Sequence, residues 1–267
     1  MRLVSIFKPL SSEWRARRRQ RRAAQREQIR LSGMPRKQAT IANLDDSPLR
    51  VPDAASFLVM KQEIMEREMY RLPELPGPLR ILDGGANIGL SVLFFKKLCP
   101  GSIITAFEPD PEIFRILKEN VEAAGWKDIE LVNKALWSSE ADLPFMPDGA
   151  DAGRLLTQAT AGSSSVPAVR LRNYLKGPIH LLKLDIEGAE EVVLRDSVDL
   201  LCNVQNIFVE CHCFTGREQT LHNVLGILSR AGFRYYIEPV NHKRHPFLPV
   251  PSHLGMDFQA NVFAFRQ

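Results

Sequence analysis

A glycine-rich turn and a single acid follow two neighbouring apolar stretches of the chain. The turn is Asp83-Gly-Gly-Ala-Asn-Ile-Gly89, and Glu108 ends the next apolar stretch 25 residues after Asp83. Glycines at a strand-to-helix turn let the backbone approach a nucleotide, and an acid at the next strand end can accept hydrogen bonds from both ribose hydroxyls. This spacing predicts a site for an adenosine-containing cofactor, formed by Asp83, Gly85, Ala86, Asn87, Gly89 and Glu108.

Two residues of this turn favour S-adenosyl-L-methionine over a dinucleotide as the cofactor. Ala86 occupies the position of the central glycine in the dinucleotide pattern G-x-G-x-x-G, where its methyl group would hinder the approach of a pyrophosphate. The anion of Asp83 would attract a cationic amino-acid group and repel a phosphate. The alternative interpretation of Asp83 is that it only caps the turn.

Asp185, Glu187 and His212 could together remove a proton from a substrate. Asp185 and Glu187 follow a predicted strand at 179–184, and His212 lies just beyond a predicted strand at 206–209. Because the ligand crevice of an open parallel sheet lies at the carboxyl ends of its strands, we expect all three at one rim. A histidine with a pKa near 6.5 suits general-base work at neutral pH, so His212 is the candidate base. The alternatives are a histidine that is merely packed and acids that only stabilise a helix N-terminus.

Metal binding is a weaker interpretation of the same residues. Asp185 could orient the imidazole, bind a substrate hydroxyl or bind a divalent ion. In Cys211-His212-Cys213, strand alternation would point the histidine away from both cysteines, so the trio cannot chelate one zinc ion. Cys99 and Cys202 have no second ligand close in sequence. We therefore predict no metal ligands and keep a divalent ion at Asp185 as the alternative.

The elements that must position these residues alternate in type from residue 79 onward. Strand-length apolar runs alternate with helix-length amphipathic runs, which is typical of a layered α/β fold. Residues 138–165 are rich in proline, glycine and serine and predict a long irregular loop. A capping box at Thr215-Gly-Arg-Glu218 predicts the start of the last helix. The predicted strands lie at 79–82, 102–107, 129–132, 179–184, 206–209, 234–237 and 260–265, with the last two antiparallel. The other predicted helices lie at 88–98, 111–124 and 190–194.

Most of the positive charge lies in the first 37 residues. They hold 12 basic and 2 acidic residues, a net charge of +10, so the total of +4 leaves −6 for residues 38–267. From Trp14 to Arg30 apolar positions are few, which predicts a solvated helix or a disordered segment. The simplest role is a solubilising extension. The alternatives are nucleic-acid binding and peripheral contact with an anionic membrane, in which Leu3, Val4, Ile6, Phe7 and Leu10 would enter the interface.

Length and composition limit the class of protein. A chain of 267 residues with 45% hydrophobic and 25% charged residues fits one large globular domain with an appendage. No apolar run reaches the roughly 18 residues that a membrane span needs. Four cysteines predict a reducing, cytoplasmic setting, with the basic tail allowing contact with the inner membrane face. We expect a basic extension at 1–45, a helical lead-in at 46–78 and the main domain at 79–267.

Four segments together resemble the FkbM family of S-adenosylmethionine-dependent methyltransferases. They are Ile81-Leu-Asp-Gly-Gly-Ala-Asn-Ile-Gly-Leu-Ser91, Ala106-Phe-Glu-Pro-Asp-Pro111, Leu182-Lys-Leu-Asp-Ile-Glu-Gly-Ala-Glu190 and Val209-Glu-Cys-His212. The resemblance covers residues 60–265. It implies a Rossmann-like class I methyltransferase fold, with a seven-stranded, mostly parallel sheet in the order 3-2-1-4-5-7-6, the last strand antiparallel, and helices on both faces. It also implies O-methylation of a hydroxyl on a sugar, glycolipid, polysaccharide or secondary metabolite.

Other classes of function account for only part of the sequence. A nucleic-acid methyltransferase would use the basic tail, but enzymes that methylate base nitrogens commonly carry an Asn/Asp-Pro-Pro-aromatic motif where this chain has Asp185-Ile-Glu-Gly. A nicotinamide oxidoreductase or a non-catalytic cofactor-binding module would use the glycine turn alone. The expected partner is therefore a hydroxyl-bearing small molecule or glycan that accepts a methyl group.

Overall fold

A seven-stranded mixed sheet lies at the centre of the computed structural model, which describes residues 12–44, 47–240, 244–248 and 255–266. The strands are β1 (Thr40–Leu44), β2 (Ser47–Val51), β3 (Arg80–Gly84), β4 (Ile103–Phe107), β5 (Ile129–Val132), β6 (Ala135–Trp137), β7 (Asp142–Met146), β8 (Arg154–Leu155), β9 (Ser164–Arg170), β10 (Ile179–Leu184), β11 (Val204–Phe214), β12 (Arg234–Pro239) and β13 (Met256–Phe265). The α-helices are α1 (Ser12–Ser32), α2 (Ala54–Met60), α3 (Leu90–Leu98), α4 (Pro111–Ala124), α5 (Glu190–Asp196) and α6 (Leu221–Arg230), and α2 continues into a π-helix at Lys61–Glu66.

The central sheet has the order β12-β13-β11-β10-β3-β4-β5. Strands β11, β10, β3, β4 and β5 pair in parallel, whereas β13 runs antiparallel to both β11 and β12. The middle strands are apolar because buried side chains cover both of their faces. The α/β class that the sequence predicts is confirmed, with a mixed sheet. The carboxyl ends of β3, β4, β10 and β11 meet at one edge.

Local signals define α4 as the sequence predicts. The Asp110 side chain accepts hydrogen bonds from the backbone N–H groups of Glu112 and Ile113, and Pro111 is the first helical residue. Gly125 ends the helix in the left-handed region, with φ 66°. The helix packs its apolar stripe on the sheet and so fixes the position of the loop after β4.

The region 138–165 is not the irregular loop that its composition predicts. It contains β7, β8 and the start of β9, which join β6 in a second sheet of order β6-β9-β7-β8. Phe145, Val166, Ala168 and Ala135 form a small separate core between these strands. The strands are short and interrupted by proline and glycine, so the sequence offers no apolar run long enough to reveal them.

Two boundaries near the end of the chain also differ from prediction. Strand β11 continues to Phe214 rather than ending at residue 209, because β13 pairs with it through His212 and Cys213. His212 therefore lies within the strand. The predicted capping box is wrong, since α6 begins at Leu221 and Thr220 holds the position before it. Thr215 lies at the turn that follows β11.

The N-terminal part packs on the main domain through its second half. Helix α1 is largely exposed, but Leu31 near its end is 2% exposed and joins the main core. The β1–β2 hairpin spans the predicted boundary at residue 45, and Asn120 of α4 hydrogen-bonds the Arg50 backbone N–H. The apolar positions 3–10 proposed for membrane contact lie outside the described residues. Within the described part of the chain, no helix combines the length and apolar character needed to cross a membrane.

Candidate functional site

A cavity of about 350 Å³ opens at the edge where the carboxyl ends of β3, β4, β10 and β11 meet. One end is lined by the glycine turn and Glu108, and the other by acids that follow β10 or lie in β11. The residues predicted as cofactor-binding or catalytic that line it are Gly85, Ala86, Asn87, Glu108, Asp185 and Glu187. Asp83, Gly89 and His212, also predicted, are not part of the cavity wall.

The glycine turn is held by the ends of two neighbouring strands. The backbone N–H groups of Gly85 and Ala86 both donate to the Phe107 carbonyl, at 3.0 and 2.9 Å. Gly85 has φ +79°, and a Cβ there would lie 1.8 Å from the Asp185 carbonyl oxygen. Contact with the end of β10 therefore already requires a glycine at this position, before any ligand is considered.

Glu108 is a buried carboxyl group whose two oxygens are both used by the backbone. Its Oε2 accepts the Asn87 N–H at 3.0 Å, and its Oε1 accepts the Asp110 N–H at 2.9 Å. The residue is 7% exposed, and burial raises the pKa of its carboxyl to about 8. Because each carboxylate oxygen has a second lone pair, Glu108 can accept further hydrogen bonds from a ligand in the cavity.

Lys183 is a site residue that the sequence analysis did not single out. Its Nζ lies 3.2 Å from Asp83 Oδ1 and 3.5 Å from Asp185 Oδ2, and it donates to the Gly85 carbonyl at 2.8 Å. Burial alone would lower the pKa of Lys183, but the two acids outweigh it and raise the pKa. The available signal was a lysine inside an otherwise apolar strand that immediately precedes Asp185.

The position of Asp83 differs from the role that the sequence suggests for it. Asp83 is fully buried, accepts a hydrogen bond from the Ser91 hydroxyl at 2.5 Å and faces Lys183. Its charge is compensated by Lys183, and Asp83 itself is not part of the cavity wall, so it is not open to a cationic ligand. Asp83 and Lys183 together fix β3 against β10 beneath the glycine turn.

His212 lies at the centre of a group of four carboxylates. Its Nδ1 is 2.9 Å from Glu190 Oε1, and its Nε2 is 3.9 Å from Asp185, 3.7 Å from Glu187 and 3.8 Å from Glu210. Burial alone would lower the pKa of His212, but the charges of Glu187, Glu190 and Glu210 raise it well above its ordinary value. The prediction of a histidine base assumes an unperturbed pKa for His212, and that assumption is wrong.

Glu210 is a further acid at this end of the cavity, and the sequence analysis gave it no role. It follows Val209 in β11 and lines the cavity, and the Gln259 amide of β13 donates to its Oε1 at 2.5 Å. Burial raises the pKa of Glu210 to about 8, and burial does the same for Glu187. The structure thus brings Asp185 and Glu187 together with two further acids, Glu190 and Glu210.

A segment from the second sheet completes the cavity wall. Residues 149–153, between β7 and β8, line it, and Asn87 Nδ2 donates to the Ala150 carbonyl at 2.9 Å. The Ser56 hydroxyl donates to Asp151 Oδ1 at 2.9 Å, and Lys37 Nζ donates to the Asp148 carbonyl at 2.7 Å. The region predicted as a long loop thus supplies a wall of the cavity.

Comparison with known proteins identifies the family. Residues 83–235 match the model of the methyltransferase FkbM domain. The chain belongs to the FkbM methyltransferase family. Methyltransferase 1 of Beauveria bassiana is 29% identical to this family member over 192 residues, covering 60% of this chain and 77% of that protein. The hexuronic acid methyltransferase AglP of Haloferax volcanii is 29% identical over 177 residues, covering 60% of this chain and 71% of that protein.

One solved structure that the chain resembles is also described as a methyltransferase FkbM. The crystal structure of methyltransferase FkbM from Methylobacillus flagellatus matches with a TM-score of 0.49 and 14% identity. The match covers 72% of this chain and 45% of that protein, so the chain spans less than half of its length.

Proposed function

We propose that this FkbM family member is an S-adenosyl-L-methionine-dependent O-methyltransferase that acts on a hydroxyl of a sugar, glycan or secondary metabolite. The observation that carries the proposal is one cavity with two chemically different ends. A glycine turn with a buried acceptor, Glu108, forms one end, and a group of acids forms the other. One relative has a name that specifies hexuronic acid, which supports a sugar-type acceptor.

The residues at the glycine turn fit an adenosine-containing cofactor. The volume of about 350 Å³ lies in the range of small-molecule sites, about 300–1,000 Å³. Glu108 is buried without a lysine or arginine within ion-pair distance among the described residues, so donors from a ligand would stabilise its charged form. We assign Gly85, Ala86, Asn87 and Glu108 to cofactor binding, and Asp83 and Lys183 to holding the turn in place.

The acids at the other end fit the activation of a hydroxyl group. When bound, S-adenosyl-L-methionine supplies a methyl group that is already activated by its sulfonium. The acceptor oxygen bonds to that carbon while the carbon–sulfur bond breaks, and sulfur keeps the electron pair. The acceptor proton passes to a cavity carboxylate and then to water. Asp185 and Glu187 line the cavity, so we assign Asp185 to removing the proton of the acceptor and Glu187, whose pKa burial raises, to binding the acceptor hydroxyl.

We assign His212 a positioning role in place of the base role that the sequence suggests. Its side chain is 1% exposed and lies behind the acids, with Nε2 3.9 Å from Asp185, 3.7 Å from Glu187 and 3.8 Å from Glu210. Because His212 is not part of the cavity wall, its ring is not placed to take the proton of the acceptor directly. The three residues predicted as catalytic therefore divide into two that face the acceptor and one that arranges them.

The test is transfer of a radiolabelled methyl group from S-adenosyl-L-methionine to a panel of neutral sugars, uronic acids and phenols. Label that survives mild alkali marks a methyl ether on a hydroxyl, whereas label released by alkali marks an ester on a carboxylate. We expect alkali-stable label, and loss of at least 100-fold in turnover with Asp185→Asn while cofactor affinity stays within a few-fold. Alkali-labile label, or full turnover in that variant, would contradict the proposal.

A further inference from the structure

We propose that Asp185, Glu187 and His212 bind one divalent cation of the Mn²⁺ type, which holds the acceptor oxygen at the acid end of the cavity. The inference rests on the proposed function and specifies how the acids of the cavity bind and activate the acceptor hydroxyl. Each of the three residues offers one ligand atom, and these atoms lie within 4.8 Å of one another. Two carboxylates and one imidazole form a ligand set that suits a cation accepting both oxygen and nitrogen.

The imidazole is oriented as a metal-binding histidine is. Its Nδ1 is bonded to Glu190 Oε1 at 2.9 Å, which leaves Nε2 directed toward the acids. The histidine side chain and the Glu190 side chain are each 1% exposed, so the ring cannot turn toward water instead. Glu190 is itself held, since its Oε1 also accepts the Gly188 N–H at 3.0 Å. Histidine ligands of metals commonly donate their other N–H to a carboxylate in this way.

The distances around Nε2 are those of ligands that share an ion rather than of hydrogen-bonded partners. Nε2 is 3.7 Å from Glu187 Oε1, 3.8 Å from Glu210 Oε1 and 3.9 Å from Asp185 Oδ1. All three exceed the usual hydrogen-bond length of about 2.7–3.2 Å. Two atoms that are each about 2.1 Å from one cation lie roughly 3 to 4 Å apart. The imidazole nitrogen is therefore buried, aimed at the acids and separated from them by the spacing of a coordination shell.

The charges at this end of the cavity also favour a cation. Four carboxylates surround one imidazole. Among the ion pairs of the described residues, the lysine that pairs with one of these carboxylates is Lys183, whose Nζ lies 3.5 Å from Asp185 Oδ2. Lys183 is shared with Asp83, from which its Nζ lies 3.2 Å away. The charged forms of carboxyl groups gathered this closely in a buried place are costly without compensation. A divalent cation would supply two positive charges where Asp185, Glu187 and Glu210 face Nε2.

A cation at this position would act directly on the proposed reaction. Asp185 and Glu187 line the same cavity as Glu108, so an acceptor hydroxyl bound to the ion would share that cavity with the cofactor. Coordination would lower the pKa of the hydroxyl, so that its proton would pass to water and the oxygen would act as the nucleophile. The products are a methyl ether, S-adenosylhomocysteine and one proton, so atoms and charge balance.

The experiment is a titration of chelator-treated protein with Mn²⁺, followed by the electron paramagnetic resonance signal of the free ion. We expect one Mn²⁺ per chain in the wild type, and binding weakened at least tenfold in Asp185→Asn, Glu187→Gln and His212→Gln. Glu191→Gln is the matched control, because Glu191 lies beside Glu190 on α5 but pairs with Arg195 on the surface. Thermal melts and calorimetry with S-adenosyl-L-methionine show whether each variant folds.

The possible outcomes separate the cation from the proposed function. Absence of Mn²⁺ binding, with Mg²⁺, Ca²⁺ and Zn²⁺ also failing to bind, overturns the cation site. Binding that is unchanged in all three folded variants overturns it too, because the ion would then sit elsewhere. Methyl transfer that persists in a chelator refutes the cation but leaves the methyltransferase proposal intact. Cation binding in a protein that transfers no methyl group to any acceptor would refute the proposed function instead.

Discussion

Single residues of the cavity carry ionisation states that their sequence context does not reveal. A carboxylate at a strand end is ordinarily solvated, yet Glu108 is 7% exposed and burial raises its pKa to about 8. A histidine ordinarily has a pKa of about 6.5, yet the carboxylates around His212 raise its pKa well above that value. Burial decides the first case and neighbouring charges decide the second, and both depend on parts of the chain that are distant in sequence.

The ionisation of Glu108 predicts how cofactor affinity depends on pH. Ribose hydroxyls that donate to the carboxylate favour its charged form, so binding lowers the pKa of Glu108 and releases a proton. Affinity for S-adenosyl-L-methionine should therefore rise with pH up to about 8 and level off above that value. Calorimetry in two buffers of different ionisation enthalpy measures the released proton.

Glu108→Gln is the variant that isolates this effect. It keeps the shape of the side chain but has no carboxyl to titrate, so affinity should fall roughly ten- to a hundredfold and lose the pH dependence that Glu108 contributes. If affinity of the wild type is flat between pH 6 and 8, Glu108 does not accept the ribose. If the variant keeps the wild-type slope, another group is responsible for it.

Replacing Lys183 should lower the free energy of unfolding strongly. Lys183→Met leaves Asp83 fully buried without its cation, and removing one partner of a buried pair costs about 3–5 kcal/mol. Urea denaturation measures the loss in free energy of unfolding. The double variant Asp83→Asn/Lys183→Met removes both charges and should recover at least half of the loss. A single variant within about 1 kcal/mol of the wild type would show that the pair is not stabilising.

At the scale of elements, some boundaries followed from the sequence and others depended on pairing. Helix α4 was predictable because Asp110, Pro111 and Gly125 are local signals that act within one turn. The extension of β11 to Phe214 was not, because its partner β13 lies more than 40 residues further along. Strands β7 and β8 were missed for the same reason, since their small core is shared with β6 and β9.

We expect helix α1 to bind anionic membranes through its exposed arginines. Replacing Arg17, Arg18, Arg21 and Arg22 with Gln removes four charges from exposed positions, each worth about 1 kcal/mol at an anionic surface. We expect at least a tenfold loss of sedimentation with phosphatidylserine vesicles at low salt. Wild-type binding should also fall in 0.5 M salt because the charges are screened.

The experiment uses four substitutions rather than a deletion of the N-terminal segment. Removing residues 1–37 would also remove Leu31 from the core and the contact of Lys37 with Asp148, so a deletion mixes two effects. Affinity for S-adenosyl-L-methionine should be unchanged in the substituted protein. Wild-type protein that ignores anionic vesicles, or a variant that binds them equally well, would refute membrane contact by α1.

At the scale of the whole molecule, the sequence predicted the edge of the sheet where the site lies but not how the site is closed. Glu108, Asp185 and Glu187 follow strands whose carboxyl ends share that edge, so their proximity followed from the parallel pattern. The compensation of Asp83 by Lys183 requires the register between β3 and β10, which the sequence does not specify. Closure by residues 149–153 depends on contacts that join four separate parts of the chain.

These closing contacts predict that the N-terminal part controls release of the cofactor. Lys37 and Ser56 hold Asp148 and Asp151 from outside the cavity, whereas Asn87 belongs to the turn itself. Losing the Ser56 hydrogen bond and the half-exposed Lys37 ion pair should cost about 1 kcal/mol, enough to favour local opening of residues 148–153. We therefore expect Lys37→Ala/Ser56→Ala to release radiolabelled S-adenosyl-L-methionine about three- to tenfold faster in a rapid-filtration chase.

The free energy of unfolding of this double variant should change by no more than about 1 kcal/mol. Arg115→Ala, which breaks a surface pair on α4 with Glu119, should leave the release rate unchanged. Equal release rates in all three proteins would show that residues 148–153 do not close over the cofactor.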